Sequence, residues 1–64
     1  MKLSKRETEI IVLIANGFSD KEIAQKLKIS ARTIQTHVTR ICSKLTARNR
    51  VHAVIKLFLK TINY

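Results

Sequence analysis

The chain has 64 residues, 13 Lys and Arg against 4 Asp and Glu, and a net charge of +9; at this length it forms one domain, 1–64, that buries only ~60% of the surface its unfolded form exposes. With 45% hydrophobic residues, no proline and one glycine it is not a disordered chain, and its longest apolar run, residues 10–15, is too short for a membrane span. A single cysteine and the lack of any Cys/His cluster at zinc-ligand spacing imply no disulfide, metal or other cofactor, and the absence of a leader-like amino terminus fits a cytoplasmic location.

Local signals divide the sequence into four helices of an all-α bundle. Ser4-Lys5-Arg6-Glu7 has capping-box spacing. It opens a first helix over about 4–16, with Leu3 before the cap and Ile10, Ile11, Leu13 and Ile14 on the apolar face. Val12 falls off that face and is expected to be partly exposed. Gly17 stops the helix in the left-handed conformation, and Phe18 is set to pack back on Leu13. Ser19-Asp20-Lys21-Glu22 repeats the capping box for a short helix over 20–27, buried through Ile23, Ala24 and Leu27. Lys28 and Ile29 form the turn.

Ser30 caps a third helix over 31–45, on which Ile34, Val38, Ile41 and Leu45 fall within ~40° of one line. The opposite side carries Arg32, Gln35, Thr36, Thr39, Arg40 and Ser43 and no carboxylate. Threonines are poor helix formers, so their presence on an outer face suggests recognition, where an ordinary solvated face would show Glu, Lys and Ala. Asn49 caps a fourth helix to about residue 60. One of its stripes, Ala53, Val54 and Leu57, closes the core; a second, Val51, Ile55, Phe58 and Ile62, lies about 120° away. That second stripe points to a dimer surface, the alternative being a small core that wraps the terminal helix.

A short helix, a tight turn and a longer helix with a polar outer face is the layout of a helix-turn-helix. Charge agrees. All four carboxylates lie within residues 1–22, balanced by Lys2, Lys5, Arg6 and Lys21, and the nine later Lys and Arg have no acidic counterpart in sequence. The simplest partner is a polyanion, double-stranded DNA. Gln35 can pair with adenine N6 and N7, and the methyls of Thr36 and Thr39 can meet thymine, so A·T pairs are the expected preference. Arg32 and Arg40 flank that face for phosphates, a guanine being the alternative for Arg32, with Lys28, Lys44, Arg48 and Arg50 extending a basic rim. His37, about 60° off the core line, is expected to donate an N–H to phosphate or to a nearby carbonyl, or else to pack. His52 is expected to be exposed, and Cys42 to sit beside the core stripe.

The same residues resemble the DNA-binding domain of the LuxR/FixJ/NarL family. Leu3-Ser4, Arg6-Glu7-x-Glu9-Ile10-Ile11 and Ala15-x-Gly17-x-Ser19 match its opening. Lys21-Glu22-Ile23-Ala24, Leu27-x-Ile29-Ser30, Thr33-Ile34-x-x-His37, Lys44-Leu45, Arg50 and Ala53-Val54 continue it. The resemblance implies a four-helix bundle whose third helix reads the major groove and whose fourth pairs with a second copy. It places Gln35, Thr36 and Thr39 at base-reading positions. Lys21, Thr33 and His37 fall at positions that meet or support phosphate contacts, and Val51, Ile55 and Phe58 on the dimer helix.

Two departures stand out. Thr46 replaces a frequent glycine and Ala47 a larger aliphatic residue, so the third helix is expected to end less sharply. Gln35 and Thr39 replace residues that are often lysine, so an operator sequence does not carry over. The resemblance further implies a bacterial transcription regulator, nucleoid-associated when bound, and a homodimer that is weak without DNA. RNA polymerase would be a further partner of an activator. With Met1 three residues before the first helix, no sensing domain is expected ahead of it, so the chain reads as an effector domain or a short stand-alone regulator. The alternatives are a sigma-factor-like promoter reader, against which the fourth helix argues, a basic protein-interaction module, and a cationic membrane-active peptide. No enzyme is expected, since no carboxylate pair, Ser/His/Asp set or phosphate loop is present.

Overall fold

A computed structural model describes residues 2–61. Those residues form four helices and no strand: α1 (Lys5–Ala15), α2 (Asp20–Leu27), α3 (Ala31–Leu45) and α4 (Arg50–Thr61). The all-α bundle expected from the sequence is the fold observed, with each helix end within a residue or so of its predicted place.

The starts are built as the serines dictate. Ser4 Oγ accepts the Glu7 N–H at 3.1 Å while Glu7 Oε1 accepts the Ser4 N–H at 2.7 Å. Ser19 and Glu22 repeat this at 3.2 and 2.8 Å. Ser30 Oγ accepts the Thr33 N–H at 3.0 Å and shares a 2.8 Å hydrogen bond with the Thr33 hydroxyl. At α4 the cap is less familiar. Asn49 Oδ1 accepts the His52 N–H at 2.9 Å, and His52 Nδ1 accepts the Arg48 N–H at 3.0 Å. His52, expected to be exposed, is therefore half-buried and completes the start of α4.

Three helices end in one way, although the chain has a single glycine. Phe18 N–H returns to Leu13 O after Gly17, Ile29 N–H to Ala24 O after Lys28, and Ala47 N–H to Cys42 O after Thr46. Each closure needs a left-handed residue between. Gly17 takes it at φ 92°, Lys28 at 58° and Thr46 at 53°. α3 thus ends sharply despite the missing glycine, which corrects the expectation of a looser end: packing of Ala47 and Leu45 against the core outweighs the cost of placing a β-branched residue there. Thr46→Gly should remove ~1–2 kcal/mol of left-handed strain and return part of it as unfolded-state entropy. The net effect expected in a thermal melt is a rise of about 4 °C; an unchanged midpoint would mean that the threonine side chain contributes a compensating contact.

The core draws on every helix: Ile10 and Ile11 from α1, Ile23 and Ala24 from α2, Ile34, Val38 and Ile41 from α3, and Ala53 from α4 are all buried. α3 is the hub, packing on α1, α2 and α4. With three neighbours on its inner side, its outer side is what remains for solvent or a partner. No helix among the described residues is long and apolar enough to cross a membrane.

Candidate nucleic-acid interface

Over the thirteen residues after its serine cap, α3 presents more than three turns of outward-facing polar side chains. Arg32, Gln35, Thr36, Thr39, Arg40 and Ser43 are all exposed, while Ile34, Val38 and Ile41 on the other side are buried. The threonine hydroxyls are not left loose. Thr36 Oγ1 donates to Arg32 O at 3.2 Å and Thr39 Oγ1 to Gln35 O at 3.0 Å. Back-bonding of this kind fixes χ1, so each methyl is held in place and each hydroxyl oxygen keeps acceptor capacity. Gln35, lying between these two threonines and Arg32, has no side-chain hydrogen bond of its own.

Around this face the expected phosphate ligands divide into two groups. Lys21 on the first turn of α2, Arg32 and Arg40 are exposed and have no carboxylate partner among the described residues. Thr33 is half-buried and occupied by the Ser30 cap. His37 is also half-buried; its Nδ1 is buried without a hydrogen-bond partner among the described residues, so no neighbouring carbonyl takes that nitrogen.

Lys44 and Arg50 are differently placed. Lys44 Nζ donates to Glu7 Oε1 at 2.8 Å, and Arg50 Nη1 and Nη2 donate to Asp20 Oδ1 and Oδ2 at 2.5 and 3.0 Å. The Lys44 and Ser4 hydrogen bonds hold the Glu7 carboxyl below its ordinary range against the opposing effect of burial. The Arg50 hydrogen bonds do the same for Asp20 and raise Arg50 in turn. Two of the nine later cations are therefore neutralised by carboxylates from the balanced amino-terminal segment.

On α4 the two stripes separate as the periodicity suggests. Ala53 is buried and Val54 and Leu57 are half-buried against the core, whereas Val51 is 64%, Ile55 50% and Phe58 61% exposed. Leu59, not singled out in the sequence, adds to the exposed apolar patch. Ile62 lies outside the described residues. Three further contacts had no signal in local patterning: the two ion pairs, which join residues 37 and 30 apart in sequence, and Lys56, whose Nζ donates to Leu45 O and Thr46 O at 3.0 and 3.1 Å. The last places a cation on the exposed carbonyls at the end of α3, where the helix dipole favours it.

Comparison with known proteins agrees with this geometry. A family model described as bacterial regulatory proteins, luxR family, matches residues 1–57. The chain is 48% identical over 56 residues to the response regulator protein VraR of Staphylococcus aureus, and equally to those of Staphylococcus saprophyticus and Staphylococcus epidermidis. That alignment covers 88% of this chain and 27% of each relative, so the chain spans about a quarter of the length of the curated proteins it matches.

Proposed function

The chain belongs to the luxR family of bacterial regulatory proteins, and from that premise we propose that it binds double-stranded DNA sequence-specifically to regulate transcription, with α3 in the major groove. The observation that carries this reading is the outer face of α3, exposed, free of carboxylates and flanked by Arg32 and Arg40, neither of which is ion-paired among the described residues. Gln35, Thr36 and Thr39 read base edges. The amide of Gln35 offers the donor and acceptor that adenine N7 and N6 require, and the two held methyls offer thymine an apolar contact. Lys21, Arg32 and Arg40 take phosphates, supported by the first turn of α3 at Thr33 and by His37 Nε2.

α4 pairs two copies through Val51, Ile55 and Phe58, which sets two recognition helices about one DNA turn apart on an inverted repeat. A contact made by one helix is weak in free solution, and DNA favours the pair by linkage. The site of action is the bacterial cytoplasm.

Selection from random duplex DNA tests the reading, and an A·T-rich inverted repeat is the result expected. On the selected site Gln35→Ala should cost ~1–3 kcal/mol and relax one base position. Arg40→Ala should weaken selected and unrelated DNA alike and reduce the salt slope by about one unit. If Gln35→Ala left the base preference intact, α3 would not be read through this face.

A further inference from the structure

Asp20 and Arg50 join two helices that otherwise do not meet. Asp20 is the first residue of α2 and Arg50 the first of α4. Among the described residues each of these helices packs on α1 and α3, and no packing contact links one to the other. Across that gap the guanidinium meets the carboxylate with both nitrogens, at 2.5 and 3.0 Å. An isolated surface ion pair adds little stability, but a two-pronged pair fixes direction as well as distance. α4 is thus held at its first residue by α2 and further along by Lys56 on the end of α3.

Holding α4 in this way matters if α2 and α3 sit on DNA while α4 meets a second copy. The angle between α4 and the helix-turn-helix then decides how far apart two recognition helices lie. Only residues 46–49 connect α3 to α4, and among the described residues α4 gives the core one fully buried side chain, the small Ala53, beside the half-buried Val54 and Leu57, so core packing alone leaves its angle open to adjustment. We infer that the Asp20–Arg50 pair is a positioning device that locks the dimer helix to the DNA-reading unit and so selects the half-site spacing two copies can occupy. The inference rests on the proposed DNA-bound dimer. It also takes Arg50 away from the phosphates, since releasing the guanidinium would leave the Asp20 carboxylate unpaired beside a polyanion.

The two roles for Arg50 make opposite demands on Asp20→Asn. As a phosphate ligand, Arg50 is freed and binding strengthens on every duplex. As a positioning residue, Arg50 loses its anchor and only the spacing preference suffers. The experiment uses three duplexes carrying the site selected by the wild-type chain: one half-site, an inverted repeat with centres ~10 bp apart, and one with centres ~15 bp apart. Affinities are read by fluorescence anisotropy at ~0.15 M salt, where long-range charge effects are screened, below the melting range of each variant by circular dichroism.

Asp20→Asn and Arg50→Lys, which keeps the charge but loses the planar fork, should leave half-site affinity close to wild type. Both should reduce the preference for the shorter spacing by about fivefold or more. A purely stabilising pair would lower all three affinities together and leave the preference unchanged. Retained preference in both variants, or a parallel change on all three duplexes, overturns the inference. A wild-type chain that binds but shows no spacing preference removes the dimer and the inference with it, whereas failure to bind any of the three duplexes removes the DNA-binding reading itself.

Discussion

Lys44→Met is expected to destabilise the fold by about 2 kcal/mol at neutral pH, a large share of the ~3–10 kcal/mol that a chain of this length commands. The reason lies in its partner. Glu7 is 4% exposed, and its Oε1 accepts hydrogen bonds from Lys44 Nζ at 2.8 Å and from the Ser4 N–H at 2.7 Å. Methionine keeps an unbranched stem of similar length, so the substitution removes the charge and little else. What remains is a buried carboxylate with one backbone donor. Glu7→Gln should cost less, about 1 kcal/mol, because glutamine can still cap the Ser4 N–H and the Lys44 side chain, 29% exposed, can be hydrated. Combining the two should recover most of the loss from Lys44→Met, since the unpaired charge is gone and the cap is kept. A double-mutant cycle by urea denaturation measures the coupling. A Lys44→Met cost below about 0.5 kcal/mol would show that water reaches the carboxylate and that the pair adds nothing.

The same pair sets the acid response. Glu7 and Asp20 are held below their ordinary values of 4.5 and 3.8 by the hydrogen bonds from Lys44 and Arg50. A carboxylate with a lowered folded-state pKa contributes stability that is complete above its unfolded value and is lost as pH falls through the folded one. The wild-type chain should therefore hold its melting temperature above about pH 5 and lose it progressively below. In Lys44→Met the chief lowering influence on Glu7 is gone and burial favours the neutral acid. The gap between wild type and variant should narrow on acidification, and parallel melting curves across pH 3–7 would contradict that assignment.

Much of the architecture is written in short-range chemistry. Two Ser-x-x-Glu boxes, Ser30 and Gly17 mark helix ends through contacts within five residues, and the Ile34, Val38, Ile41 line needs only helical periodicity. The exposed face of α3 follows from the same geometry, because a helix with its apolar line buried must turn the rest outward. The two stripes of α4 separate for that reason too.

What local patterning does not carry is whatever depends on the chain returning to itself. Lys44 and Arg50 look like members of a basic rim until the fold brings Glu7 and Asp20 to them across 37 and 30 residues. Counting charge along the sequence is correct as arithmetic, yet it does not say which cations are left for a partner. Thr46 fails as a guide to the end of α3 because the closing hydrogen bonds and the packing of Ala47 decide the backbone, not the preference of one residue. His52 escapes because its ring accepts the N–H of Arg48, four residues back and one before the cap, a bond that no Ser-x-x-Glu spacing signals.

Phe58→Asp should abolish cooperative occupation of an inverted repeat while leaving the domain folded. The ring is 61% exposed on α4, in a patch shared with Val51, Ile55 and Leu59, so its removal withdraws little from the core. In a two-fold pair each copy contributes the same residue, and every substitution acts twice. A well-placed aromatic at the centre of an interface is worth ~2 kcal/mol or more, so the pair loses about 4 kcal/mol, close to a thousandfold in the cooperative term. Two facing carboxylates add repulsion. Affinity for an isolated half-site should change far less, because the substituted residue lies on the helix turned away from the reading face. The contrast with Asp20→Asn is informative: loss of the ion pair loosens the choice of spacing, whereas loss of the aromatic removes the advantage of a second site at any spacing. Sedimentation in the presence of full-site and half-site duplexes, with far-UV circular dichroism on the same samples, separates these outcomes. A helical, half-site-binding variant that still loads two copies cooperatively would place the dimer contact elsewhere on the surface, and a variant that loses its helical signal would place Phe58 in the core.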